Sequence, residues 1–273
     1  NDQWIAVRIG KARNRERVIS ALFLAGSTGV QEDGQDIVTH FPPGSFTQQL
    51  RDSIAVADPG ATVVTANAAA IDYSEWRAAV VSHRIGDLTV APPWLASDGE
   101  EGRTIVIDPA MAFGTGEHAT TRGVIRLMQQ IPEISGLVAD LGSGSAILAI
   151  AAAKLGAARV AAIEMDADAI GNAQENVAAN GVADRVHVIE GDAGLLLPLV
   201  APVDVVLANI VSSVLLGMLP VIAEAVRLDG HAILSGILVE ERTIMLTAIG
   251  EVDWRIAGED TEAGWWSVML ERR

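Results

Sequence analysis

The chain contains no cysteine, one tyrosine and four phenylalanines, and no uninterrupted apolar run of membrane-spanning length. Without cysteine, disulfides and thiolate metal sites are excluded, and no metal site is expected. The longest apolar stretch, "VVLANIVSSVLLGMLPVIAEAV", is broken by Asn209, two serines, Gly217 and Pro220 before it reaches the roughly 18 residues a span requires. No signal-peptide pattern opens the chain, so no membrane association and a cytoplasmic location are expected. Basic residues are scarce as well: 19 Lys and Arg face 35 Asp and Glu, a formal net charge of −16. The imbalance is uneven. Residues 1–80 carry seven basic against nine acidic groups, and the remainder twelve against twenty-six. A field of that sign opposes extensive phosphate contact and favours cationic partners, so direct nucleic-acid binding is not expected.

What remains is ordinary globular material. Half of the 273 residues are apolar and a fifth are charged, enough for one large or two modest domains. Residues 3–9 alternate like a strand, 13–25 have helical periodicity, and 28–41 read as a hairpin around the Asp-Gly of "EDGQD". A helix near 44–56 and a strand near 61–71 complete a β-α-β-β-α-β order, an α+β ferredoxin-like module over 1–72. Lys11, Arg13, Arg15 and Arg17 open its first helix, either as a solvated face or as a contact for an acidic partner. Residues 73–103, with a possible helix in "YSEWRAAVVSH" and a short strand in "LTVAPPW", read as a linker region.

From Leu137 the pattern becomes regular. Strand-like runs at 137–141, 159–164, 185–189, 203–208 and 230–235 alternate with helical stretches at 145–156, 166–180, 212–227 and 238–249. Such alternation specifies a parallel, doubly wound α/β sheet. The end differs, because "VDWRIAG" and "WWSVMLER" are two strands joined by a short turn and must pair antiparallel. A doubly wound sheet with a terminal antiparallel hairpin, here over 104–273, predicts the class I methyltransferase fold rather than a dehydrogenase.

Two glycine clusters carry the chemistry. In "VADLGSGSAI", Asp140, Gly142 and Gly144 stand where a strand turns into a helix, with glycines that admit close backbone approach and a helix start that offers free N–H groups. Ala146 stands where a third glycine would complete G-x-G-x-G, and Ile147 where the dinucleotide fingerprint wants glycine, which counts against NAD. Glu164 follows Gly142 by twenty-two residues at the end of the next strand, the spacing of an acid that grips ribose hydroxyls; the competing role is a helix-start acid, which Asp166 and Asp168 fill better. Asp192 in "VIEGDAG" falls at the adenine edge of such a site, or is a simple turn residue, and Asn209 in "VLANIV" stands at the carboxyl end of the fourth strand. Together these residues point to S-adenosylmethionine.

The first cluster, "DPAMAFGTGEHATTR" at 108–122, adds the more specific signal. With "DLGSGSAILAIAAAKLGA", "IEMDADAI", "GDAG", "LANIV" and "LSGILVEE", it resembles the bacterial ribosomal protein L-eleven methyltransferase family (PrmA-type), whose members methylate amines of a large-subunit ribosomal protein. The resemblance implies an N-terminal domain that captures the ribosomal protein, a flexible linker and a catalytic domain using S-adenosylmethionine. It implies that Gly142 and Gly144 form the floor under the methionine part of the cofactor, and that Phe113, Thr115 and Gly116 cover its other side. Thr115 and Asn209 are the expected catalytic contacts, with Asn209 accepting N–H bonds from the substrate amine. Thr120 is an expected cofactor contact, although Thr120 and Thr121 also suit a helix cap. His118 is a candidate base or a loop histidine satisfying local backbone. Trp94, Trp265 and Trp266 are expected to pack in the core or the hairpin. The chain departs from the family pattern at Ala110, Glu117, Ala119, Ser143 and Ala146, where Gly, Thr, Pro, Cys and Gly are usual. Glu117 adds a negative charge that would favour a cationic amine. The expected protein is a monomeric N-methyltransferase of lysine side-chain or amino-terminal amines. The alternatives are methylation of another protein or a small amine, and a silent module that binds the cofactor without turnover.

Overall fold

The computed structural model describes residues 5–25, 27, 30–33, 36–41, 48–67, 81–98, 102–107 and 118–273. The chain divides into two compact units, residues 1–79 and 80–273. The first contains β1 (Ile5–Gly10), α1 (Arg15–Leu24), β2 (Val30–Asp33), β3 (Asp36–Phe41), α2 (Gln48–Ala57) and β4 (Thr62–Asn67). Its sheet runs β2-β3-β1-β4 with every neighbouring pair antiparallel. Period-2 alternation turns Val7 and Ile9 to one face, and they bury against Val18 and Leu22 of α1 and Leu50 and Ile54 of α2, each an i, i+4 pair. Asp58 staples the β1–α1 connection by accepting from the Asn14 N–H at 2.7 Å and the Gly60 N–H at 2.9 Å. Lys11, Arg13 and Arg17 are exposed and Arg15 is half-buried, as a solvated helix start requires.

The second unit begins with a three-stranded sheet of β5 (His83–Ile85), β6 (Leu88–Ala91) and β7 (Thr104–Val106), with a 3-10 turn at Pro93–Asp98. It occupies the region where the composition suggested a linker; β6 falls on the short strand expected in "LTVAPPW", while β5 and β7, of three residues each, are too short to leave a periodic signature. Two side-chain amides fix it to the larger fold. Gln129 Oε1 accepts from the Asp87 N–H at 2.7 Å, and Asn180 both accepts from the Val106 N–H at 2.8 Å and donates to the Val106 carbonyl at 2.7 Å. The helix expected in "YSEWRAAVVSH" falls outside the described residues apart from its last three.

The main layer contains α3 (Ala119–Met128), β8 (Leu137–Leu141), α4 (Ile147–Lys154), β9 (Arg159–Glu164), α5 (Ala167–Ala179), β10 (Val186–Glu190), α6 (Ala193–Val200) and β11 (Val203–Asn209). It continues with α7 (Ser212–Ala225), β12 (Val226–Leu238), α8 (Arg242–Ile249), β13 (Trp254–Glu262) and β14 (Trp265–Arg272). The sheet order is β10-β9-β8-β11-β12-β14-β13; the first five strands are parallel, and β14 pairs antiparallel with both β12 and β13. A parallel sheet covered on both faces needs continuously apolar strands, and β8 and β9 are buried over most of their length. The alanine-rich α4 is apolar all round because Ile147 to Ala153 are all buried. Trp266 is enclosed in the core at 1% exposure, with its Nε1 donating to Glu259 at 2.9 Å. Among the described residues no helix is long and apolar enough to cross a membrane. Strand order reverses between β8 and β11, so the crevice of the fold opens beyond their carboxyl ends.

Candidate active site

The floor of that crevice is the turn from β8 into α4. Gly142 and Gly144 adopt left-handed backbone, at φ of 66° and 51°. A Cβ on Gly142 would lie 2.7 Å from Ile210 Cγ2, so only glycine lets the two strand ends approach this closely. The Gly142 and Ser143 N–H groups donate to the Ile163 carbonyl at 2.9 and 3.0 Å, extending the sheet pattern by one step. Ala146 is also left-handed, at φ 63°, and as the residue before α4 it offers no side-chain oxygen to the helix start. Asp140 takes over that task from the strand beneath: its Oδ2 accepts from the Ala149 N–H at 3.0 Å.

Asp140 is thus a buried support under the loop, at 1% exposure, and not part of the cleft lining. Burial, joined by the nearby charge of Glu164, pushes its carboxyl up to about 7, against the opposing effect of the Ala149 N–H. Its Oδ1 and the Ser143 Oγ are buried without a hydrogen-bond partner among the described residues.

Glu164, at the tip of β9, is the most tightly held carboxylate of the cleft. Oε2 accepts from the Gly144 N–H at 2.7 Å, and Oε1 accepts from the Met165 and Asp166 N–H groups at 2.8 and 2.9 Å. A carboxylate has about four lone-pair positions, so three amides orient the group and leave capacity for a further donor. The helix-start role belongs to Asp166, which caps α5 through the Asp168 N–H. Asp192 caps α6, its Oδ1 accepting from Gly194 and Leu195 N–H at 2.7 and 3.2 Å, and it lines the cleft as well. The cleft encloses about 420 Å³ between Gly142, Glu164 and Asp192 on one side and Ile210, Val214 and Met218 on the other. That volume and a mainly apolar wall with a few oriented polar groups suit a small organic ligand.

Asn209 ends β11 and pairs with Ser235 of β12. Its Nδ2 points to Thr121 Oγ1 at 3.5 Å. Thr120 and Thr121 do not cap α3; the residue before the helix is His118, whose Nδ1 accepts from the Thr120 N–H at 3.4 Å and lies 2.7 Å from Thr120 Oγ1. Both threonines are already inside the first turn and buried, and Thr120 does not line the cleft. His118 satisfies local backbone, and its ring stands edge-on to Trp265 with centroids 5.1 Å apart. Phe113, Thr115 and Gly116 lie outside the described residues, as do Ala110 and Glu117.

The whole of this architecture falls within one family model, "Ribosomal protein L11 methyltransferase (PrmA)", which matches residues 4–273. The chain belongs to that family. A relative of this name from Desulfitobacterium hafniense is 38% identical over 202 residues, covering 73% of this chain and 63% of its own length. Another, from Pelotomaculum thermopropionicum, is 35% identical over 243 residues, covering 85% of this chain and 78% of its own. The chain therefore spans less than two thirds of the first relative and somewhat more of the second. A solved structure titled ribosomal protein L11 methylase, from Lactobacillus delbrueckii subsp. bulgaricus, superposes with a TM-score of 0.62 at 30% identity, over 71% of this chain and all of that one. A precorrin-6y C5,15-methyltransferase from Geobacter metallireducens shares the fold at 15% identity and a TM-score of 0.52, over 62% of this chain and 97% of that one.

The departures from the family's usual residues have local explanations in two cases. Ala146 occupies a left-handed position that suits glycine, and Ala119 is the first residue of α3, where proline is otherwise favoured because its N–H is not needed. Two further residues lie in the "LSGILVEE" stretch, and the sequence assigned a role to neither. Gly236, inside β12 at φ 84°, has the Ile210 backbone so close that a Cβ would sit 2.3 Å from its carbonyl oxygen. Glu241 accepts from Ser212 Oγ at 2.6 Å and from the Leu238 N–H at 2.9 Å. An isolated glycine in a strand pattern was the only hint of such close backbone approach.

Proposed function

We propose that the protein methylates lysine side-chain or amino-terminal amines of a large-subunit ribosomal protein, using S-adenosylmethionine. One observation carries this: in a chain of the PrmA family, the cleft at the strand-order reversal is lined by Gly142 and by an oriented carboxylate, Glu164, and the amide of Asn209 ends β11 directly before two further lining residues, Ile210 and Val211. The residues fit the cofactor. Glu164 keeps acceptor capacity for ribose hydroxyls, Gly142 and Gly144 give backbone access, and Asp192 with Ile210 and Val214 frames a pocket for an adenine ring. Asp140 and Ser143 leave buried polar atoms beneath the loop for which a polar ligand offers partners.

S-adenosylmethionine supplies a methyl group on a sulfonium, ready for in-line displacement by a neutral amine. Lysine is charged in water, with a pKa of about 10.4, so the site must favour the deprotonated form, and burial does so. Asn209 accepts an amine N–H and orients the lone pair, with Thr121 holding its amide. Thr115 and Phe113 are proposed neighbours of the reacting methyl, with Gly116 and Thr120 as further cofactor contacts. We propose that the β-α-β-β-α-β unit, whose β2-β3-β1-β4 order suits a ferredoxin-like module, recognises the ribosomal protein, and that the protein works in the cytoplasm. The test is transfer of labelled methyl groups to that purified ribosomal protein, followed by peptide mapping. Label on its amines is the expected result; label on another acceptor only, or none with the cofactor bound, overturns the reading.

A further inference from the structure

We propose that Glu241 is a positioning residue for methyl transfer, bridging the end of β12 to the start of α7 and thereby fixing the segment that carries Asn209; this rests on Asn209 meeting the acceptor amine. Asn209 is followed by only Ile210 and Val211 before α7 begins at Ser212. Val211, the residue before the helix, has no side-chain oxygen to cap it. The first turn of α7 is instead tied down through the side chain of Ser212, which donates to Glu241 Oε1 at 2.6 Å. The other carboxylate oxygen accepts from the Leu238 N–H at 2.9 Å, at the last residue of β12. One carboxylate thus joins the end of β12 to the start of α7.

The segment is constrained at a second point. Gly236, two residues before Leu238, lies flush against Ile210, with that residue's backbone N, C and O all within 3.1 Å of where a Cβ would stand. The Asn209–Ser212 stretch is therefore held at two points, by Gly236 against Ile210 and by the Ser212–Glu241 hydrogen bond. Both hydrogen bonds hold the Glu241 carboxyl below the usual carboxylate range, so it is an anion near the positive end of α7 at neutral pH. Reacting groups need placement to within a fraction of an ångström, and hydrogen bonds behind the contacting residues supply it.

Glu241→Met tests the bridge at similar volume, because the thioether removes both carboxylate acceptors; an amide would not, since its oxygen can accept from the Leu238 N–H while its NH2 donates to the Ser212 hydroxyl. The expected result is a kcat for labelled methyl transfer about tenfold lower, with the Kd for S-adenosylmethionine within about twofold of wild type. Ser212→Ala should act in the same direction, and the double variant should be no slower than Glu241→Met alone, since both changes break one bridge. Glu240→Gln, at the exposed neighbouring position, should leave kcat unchanged. Full kcat in Glu241→Met, or a fall in kcat matched by an equal loss of cofactor affinity, overturns the proposal. Asn209→Ala, measured alongside, tells the two levels apart. Only if the reading of Asn209 itself is wrong does that variant retain full kcat; if it loses kcat while Glu241→Met does not, the bridge alone is wrong.

Discussion

The β8–β9 side of the cleft and its β11–β12 side are held in place by different kinds of contact. Glu164 is oriented by its own next two amides and by Gly144, twenty positions earlier, all within one β-α-β unit. Asn209 leans on Thr121, 88 positions earlier, and its segment is pinned by Gly236 and by Glu241, 29 positions beyond Ser212. The first side is built by local chain geometry and the second by tertiary packing. The proposed donor half therefore depends mainly on one β-α-β unit, while the proposed acceptor half depends on how three distant elements settle against each other.

That contrast can be broken by changing one residue on each side. Gly236→Ala strikes the packed side, where a Cβ meets the Ile210 carbonyl in a left-handed backbone, and should cost about 3 kcal/mol of stability. Gly181→Ala is the comparison: its φ is 65° but the space around it is open, so only the conformational cost of about 1–2 kcal/mol applies. Urea unfolding midpoints measure both, and equal losses would remove the packing argument for Gly236. On the local side, Asp140→Asn keeps the acceptor for the Ala149 N–H and deletes the titration. The wild-type carboxyl is near 7 in the fold and about 3.9 in the unfolded chain, so the unfolded state releases its proton first as pH rises. Wild type should therefore lose stability relative to Asp140→Asn between about pH 4 and 7, by about 4 kcal/mol, with little further change above pH 7. Parallel pH profiles would show that Asp140 is ionised throughout.

The same division decides what could be read from the chain. The alternation after Leu137, the closing hairpin and the placing of Gly142, Glu164 and Asp192 around one cleft are local patterns, visible as periodicity and turn chemistry. β12 was expected over 230–235 and runs Val226–Leu238, because its early residues, Arg227, Leu228 and Asp229, are exposed and give no apolar alternation. The helix expected from 238 begins at Arg242, after a 3-10 turn in which Glu241 faces back to Ser212. Asp140, expected as a cofactor contact, also supports the helix start that Ala146 cannot cap, a role visible only once strand and helix are stacked. His118 looked like a loop residue and acts as the cap, displacing Thr120 and Thr121 into the helix. Gly236 and Glu241 lie in the "LSGILVEE" stretch, but their roles are long-range contacts, which no local pattern encodes.

The measurement that bears most directly on the account is a calorimetric titration of S-adenosylmethionine into the wild-type protein and into Glu164→Ala. Loss of a charged hydrogen-bond acceptor is worth about 1.5–3 kcal/mol, so the variant should bind about a hundredfold more weakly than wild type, which itself should bind one equivalent and ignore NAD. Equal affinity in the two proteins, or binding of NAD and not of S-adenosylmethionine, would contradict it.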